Sequence, residues 1–206
     1  MRDDETWTFR PRSAAWTTGG SWLVVAGFTG SAAAEGGAQA LLRALPLTAA
    51  VALLVWLVCW RPAVRLDAEG VHVVNPFVTS HVPWEALIEI RTRFACTFVT
   101  PRRKVEAFAA PGPGRHAAAH AAAVDLRHAP RQAFDASRSV SLGEVGGSPS
   151  AVVATQTRRR WERLVEDGEL ELGVADEVPV RRAVHWPGLA AVVGLAALGA
   201  VLQLVG

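Results

Sequence analysis

The order of apolar and polar residues divides the chain into two regimes. Residues 13–60 and 183–206 are dominated by long apolar runs, whereas residues 61–110 alternate between apolar and polar with a period of two. A bilayer core requires roughly 20 apolar residues in helical form. Ala44 to Trp60 holds no charged residue, and Arg43 at its start can snorkel outward, so a span is expected over 41–60. Ala183 to Gly206 carries no charged residue other than His185. Ser13 to Ala34 is uncharged but rich in Gly, Ser and Thr, and predicts a further span over 13–34. The pattern therefore predicts three transmembrane helices.

After Trp60 the period changes. "PAVRL", "VHVV", "VTSHV", "LIEIRTR", "FACTFVT" and "KVEAFAA" read as six short strands, separated by the turn signals Asp67-Ala68-Glu69-Gly70, Asn75-Pro76, Pro83-Trp84 and Pro101-Arg102-Arg103. In the fourth and fifth strands Ile88, Ile90 and Thr92 share one face, and Phe94, Cys96 and Phe98 share another. Strands this short and closely spaced predict a small antiparallel barrel or sandwich over 61–110. Trp84 is placed at its open end. Residues 111–147 are low in complexity and predict a flexible loop. Helical spacing returns at 148, with Ser148 as N-cap, Pro149 at N1, Gly168 as the stop and Val153, Trp161, Leu164 and Val165 on the apolar face. Residues 148–182 are read as that helix plus a tether to the third span.

Charge gives these segments an orientation. Arg10 and Arg12 precede the first span, Arg61 and Arg65 follow the second, and Arg181 and Arg182 precede the third. Basic flanks mark the cytoplasmic side. The expected topology has the N-terminus inside, a tight loop at Glu35–Gln39 outside, residues 61–182 inside and the C-terminus outside the cell membrane. Trp7, Trp16, Trp22, Trp56, Trp60 and Trp186 fall near predicted membrane ends, as an aromatic belt does, while Trp84 and Trp161 are expected in a soluble core. A signal peptide competes with the first span, because "SAAAEG" offers a cleavage site. Asp3, Asp4 and Glu5 make a poor leader start and Trp22–Phe28 is a short apolar stretch, so the uncleaved span is preferred.

Composition narrows function by exclusion. Half of the 206 residues are hydrophobic and the net charge is only +2, which argues against a nucleic-acid partner. The twenty Arg against one Lys read as the codon bias of a GC-rich genome such as an actinobacterial one. Cys59 and Cys96 fall in a helix and a strand, with no metal or disulfide pattern. No nucleophile elbow, P-loop or dinucleotide fingerprint occurs, so no enzyme and no cofactor is expected. His116 and His120 stand at i, i+4 in "HAAAH" and could reach one metal with Asp125 or His128, but the acidic partner of metalloprotease motifs is missing and compositional drift explains them better. His72, His81 and His185 are read as surface or interface residues. Ala190 and Gly194, with Gly199 further on, would let the third span pack closely within the chain or against a second copy.

Arg61-Pro62, Glu69-Gly70-Val71, Val74-Asn75-Pro76, Val82-Pro83-Trp84 and Ala109-Ala110-Pro111 together resemble the bacterial PH-domain family of actinobacterial membrane proteins, over about 60–111. The resemblance implies a PH-like barrel with a C-terminal helix and no catalytic residues. It also implies seven strands. The seventh is sought in "AAVDLRH", "SRSVSL" or "ELELGV". Gly70, Asn75, Pro76, Trp84 and, from the helix after the loop, Trp161 are read as structural positions. Phosphoinositide-binding PH domains carry Lys and Arg around the first hairpin turn, whereas here that turn is acidic. The expected function is an interaction or scaffold module for an unidentified membrane-protein partner. The alternative is attraction to anionic lipid through Arg102, Arg103, Lys104, Arg158, Arg159 and Arg160.

Overall fold

A computed structural model describes residues 6–112, 148–171 and 173–205. Among these, the chain forms β1 (Trp7–Phe9), α1 (Ser13–Val55) with a π-helical last turn (Trp56–Trp60), β2 (Ala63–Leu66), β3 (Gly70–Val74), β4 (Val78–Pro83), a 3₁₀ turn (Trp84–Ala86), β5 (Glu89–Arg91), β6 (Ala95–Val99), β7 (Lys104–Pro111), α2 (Pro149–Glu166), β8 (Arg181–Val184) and α3 (Trp186–Val205). Two compact units result. A β-rich unit takes residues 63–74 and 80–182 with the N-terminal segment up to 11, and a helical unit takes 12–62, 75–79 and 183–206. The "HAAAH", "AAVDLRH" and "SRSVSL" segments, and most of the 111–147 loop, lie outside the described residues.

The β-rich unit is a sandwich. One sheet runs β1-β2-β3-β4-β8 and the other β5-β6-β7. Alternation decides what lies between them. Val64 and Leu66, Val71 and Val73, Val82, Cys96 and Phe98, and Val105, Ala107 and Ala109 point inward and are buried. Val153 and Ala154 of α2 join the same core, with Trp161 and Leu164 packed against it. The cap on this helix is the expected one: the Ser148 side chain accepts from the Ala151 N–H at 3.1 Å, a contact of about 1 kcal/mol. Gly168 ends it with φ of 71°.

All six strands read from the alternation are present, and two more join them. β1 pairs antiparallel with β2, setting Trp7 opposite Leu66 and Phe9 opposite Val64. Trp7 is therefore a strand residue packed on the sandwich core. β8 covers residues at which a membrane helix was expected, and α3 begins only at Trp186. Among the described residues, then, the further strands are Trp7–Phe9 and Arg181–Val184, and "ELELGV" supplies neither. Both are too short for a periodic signal and are ordered by edges far away in sequence.

Two side chains depart from the expected faces. Phe94 is 79% exposed and Ile88 60% exposed, although Cys96, Phe98 and Thr92 are buried as expected. The β6–β7 register shifts between Ala95 and Cys96. Ala95 stands opposite Pro111 but Cys96 opposite Ala107, so regular pairing stops at this point, and Phe94 precedes β6 and lies outside its alternation. Ile88 precedes the three-residue β5 and lies outside its alternation.

In the helical unit two helices, Ser13–Trp60 and Trp186–Val205, are long and apolar enough to cross a membrane, where three spans were expected. The first two expected spans belong to one helical element, interrupted at Gly37 (φ 65°, ψ −157°). The indole N–H of Trp22 donates to the carbonyl of Ala52 at 3.0 Å. Along a straight helix, residues that far apart would be separated by about 45 Å. The chain therefore reverses at Gly37, inside the predicted Glu35–Gln39 loop, where positive φ favours glycine. A Cβ on Gly199 of α3 would lie 3.0 Å from the Leu47 nitrogen, whereas one on Gly194 would meet nothing within 4 Å. The close approach of α3 thus falls at Gly199 and at Gly188, where a Cβ would lie 3.1 Å from Leu57 Cδ2, and not at Gly194.

Candidate interaction site

β5 is an edge strand, and α2 packs beside it. Between them lies an open groove of about 330 Å³, lined by Leu87, Ile88, Glu89, Ile90, Arg158, Trp161 and Glu162. Leu87, Ile88, Ile90 and Trp161 give it apolar surface, and Glu89, Arg158 and Glu162 give it charge. Glu89 pairs with Arg91 at 2.7 Å, and the hydrogen bond from Arg91 holds the Glu89 carboxyl below the usual range. Arg158 Nη2 donates to the Ile90 carbonyl at 3.3 Å, which ties the helix to the strand. The Trp161 indole N–H is buried with no hydrogen-bond partner among the described residues. An edge strand beside an apolar trough is the geometry that receives an extended peptide, main chain on the strand and side chains in the trough. Trp161 was expected in the core. It also lines this groove, which nothing in its local sequence spacing signals.

The six basic residues singled out from sequence fall into two groups. Arg102 and Arg103 occupy the exposed β6–β7 turn, and Lys104 begins β7. Arg158, Arg159 and Arg160 occupy one turn of α2. Lys104 pairs with Val99, whose other neighbour is Glu89, while Arg158 reaches Ile90. β5 thus stands between the two groups. They do not form a uniform basic face, because successive residues of a helix point in different directions and Arg158 is turned onto the protein.

The β2–β3 turn explains its acidity. Asp67 Oδ1 accepts from the N–H groups of Glu69 (3.0 Å) and Gly70 (3.1 Å), and Oδ2 lies 2.8 Å from Nε2 of His72. A carboxylate already holds the main-chain donors that an anion would seek at this turn. Gly70 is required by close approach: a Cβ there would lie 2.3 Å from the Val82 oxygen. Trp84, 1% exposed, closes this end of the sandwich and donates its indole N–H to the Asp67 carbonyl at 3.0 Å.

Residues 61–160 match the family described as Bacterial PH domain. The chain contains a bacterial PH domain. No curated protein and no solved structure matches the chain significantly. The matched range holds β2 to β7 and most of α2, so β1 and β8 are edges that lie outside it. PH domains are in general non-catalytic interaction modules. Among the described residues, no three His, Cys, Asp or Glu side chains come together to hold a metal ion.

Two features of the PH domain and its flanks were not legible as a site. Arg61, the first matched residue, follows the π turn directly. Its guanidinium donates to the carbonyls of Asn75 and Pro76 and to Thr79 Oγ1. The Asn75-Pro76 turn, residues 75–79, accordingly belongs to the helical unit, and His185 N–H donates to Phe77 O there at 2.8 Å. The second feature is the stacking of His72 on His81, with ring centroids 4.3 Å apart. A usable signal was present: His72 lies four residues before Pro76 and His81 four after Phe77. Residues placed symmetrically about a hairpin turn face each other across it.

Proposed function

We propose that the chain is a non-enzymatic membrane protein that displays its PH domain at the cytoplasmic face as a docking module for a protein partner. The observation that carries this reading is the pairing of β1 with β2 across the whole helical segment between them. A segment that begins and ends in one sheet crosses a bilayer an even number of times. The reversal at Gly37 supplies two apolar arms for that, and α3 a third span. Basic flanks at Arg10, Arg12, Arg61, Arg65, Arg181 and Arg182 favour the cytoplasm for the PH domain. Retention of β1 in the sheet also favours an uncleaved N-terminus, because cleavage after the first apolar stretch would remove it.

Within this reading the β5–α2 groove is the docking surface and an extended peptide its ligand. A photo-reactive residue at Ile88 of the full-length chain, in native membranes, is expected to trap a discrete protein adduct that the same group at Val152 does not. Absence of an Ile88-specific adduct would remove the reading. The second reading, attraction to anionic lipid, is favoured by the exposed Arg102, Arg103 and Arg159. It predicts that reversing those charges changes the lipid selected by the protein in mixed nanodiscs and leaves the Ile88 adduct intact. Unchanged lipid composition would exclude it.

A further inference from the structure

The five-stranded sheet carries a row of basic side chains on the face opposite the core. Arg65 of β2 pairs with His72 of β3, each alternating with buried valine or leucine neighbours. The His72 ring stacks on His81 of β4 at 4.3 Å, with planes 24° from parallel. β8 lies beyond β4 in the sheet and contributes Arg181, whose charge acts on His81. Two acids oppose the row, both in the β2–β3 turn: Asp67, 2.8 Å from Nε2 of His72, and Glu69. His81 has no such contact. Its Nε2 is buried and lacks a hydrogen-bond partner among the described residues.

We propose that the His72–His81 stack is a proton-operated latch on β8, in which a charge on His81, facing Arg181 of β8, loosens the pairing of β8 with β4. β8 is the strand to yield because it is an edge, four residues long and exposed throughout. Its C-terminal neighbour in sequence is α3, so opening alters the tether to an apolar helix. The direction of the response follows from the environment of His81. Burial, then the neighbouring His72, then Arg181 push its pKa down, and Asp67 and Glu69 only partly offset them. The closed state therefore binds fewer protons at His81 than an open one. Stability of the closed strand is full above the ordinary histidine value of about 6.5 and falls as the pH drops below it.

The test is hydrogen exchange of the full-length protein in nanodiscs between pH 8 and pH 5, corrected for intrinsic exchange. Protection of residues 181–184 is expected to fall as the pH drops below about 6.5, by at most about tenfold per pH unit for one proton, while β6 stays constant. His81→Phe keeps a stacked ring but takes no proton, and is expected to make the profile flat. Arg181→Gln removes one cation without touching the stack, and is expected to weaken the pH response even if His81→Phe folds poorly. A flat wild-type profile, or an undiminished pH response in Arg181→Gln or in a folded His81→Phe, would overturn the latch.

Discussion

The indole nitrogen of Trp84 lies 3.0 Å from the main-chain oxygen of Asp67, seventeen residues earlier. This bond joins the 3₁₀ turn after β4 to the β2–β3 turn, whose own donors are held by the Asp67 side chain. One aromatic residue thereby closes an end of the sandwich and fixes an acidic turn where the fold could otherwise present main-chain donors. Trp84→Phe retains most of the buried surface and loses only the bond, so it should cost about 1 kcal/mol. Trp84→Ala should cost about 3–5 kcal/mol. Thermal unfolding of the detergent-solubilised protein should show a small and a large loss in that order. Equal losses would place the energy elsewhere.

Arg61 should govern the hairpin tip. Its guanidinium serves two carbonyls and the Thr79 hydroxyl, a fork that a lysine ammonium cannot reproduce. Arg61→Ala should raise exchange at residues 75–79, with a cost of about 1.5–3 kcal/mol for the lost charged hydrogen bonds. Arg61→Lys should fall between this variant and wild type.

Much of the sandwich was legible because its strands alternate cleanly and its turns carry Gly, Pro and Asn. Val71, Val73, Val82 and Phe98 all fall inward where alternation places them. The edges were not legible. Trp7–Phe9 and Arg181–Val184 are too short to show a period, and Trp7 looked like an interfacial tryptophan because local sequence cannot reveal a partner strand more than fifty residues away. The candidate groove was hidden for a related reason. Ile88 and Trp161 meet only because α2 returns to β5, a contact set by tertiary packing.

Cys96 should be chemically silent. Burial pushes its thiol up to about 12, with Arg158 offsetting only part of this. At pH 8 about one part in ten thousand is thiolate, the reactive form. In a Cys59→Ser background, maleimide labelling at pH 8 should be negligible for the native protein and complete after denaturation. Rapid native labelling would mean that the core opens readily.

Gly199 should be a sensitive position of α3. A Cβ would press on Leu47 at 3.0–3.3 Å, so Gly199→Val should destabilise helix packing by about 1–3 kcal/mol. Gly194→Ala, with nothing within 4 Å, should change stability by less than about 0.5 kcal/mol. Steric trapping in bicelles distinguishes the two. Sensitivity at Gly194 instead would point to a contact with a second copy.

The most direct measurement is cysteine accessibility in intact cells. In a background with Cys59→Ser and Cys96→Ala, single cysteines are introduced as Thr8→Cys, Gln39→Cys and Lys104→Cys and challenged with a membrane-impermeant reagent. Because β1 and β2 share one sheet and the chain reverses at Gly37, the account predicts labelling of position 39 from outside. Positions 8 and 104 should label only after permeabilisation. Labelling of positions 8 and 39 from the same side would contradict it.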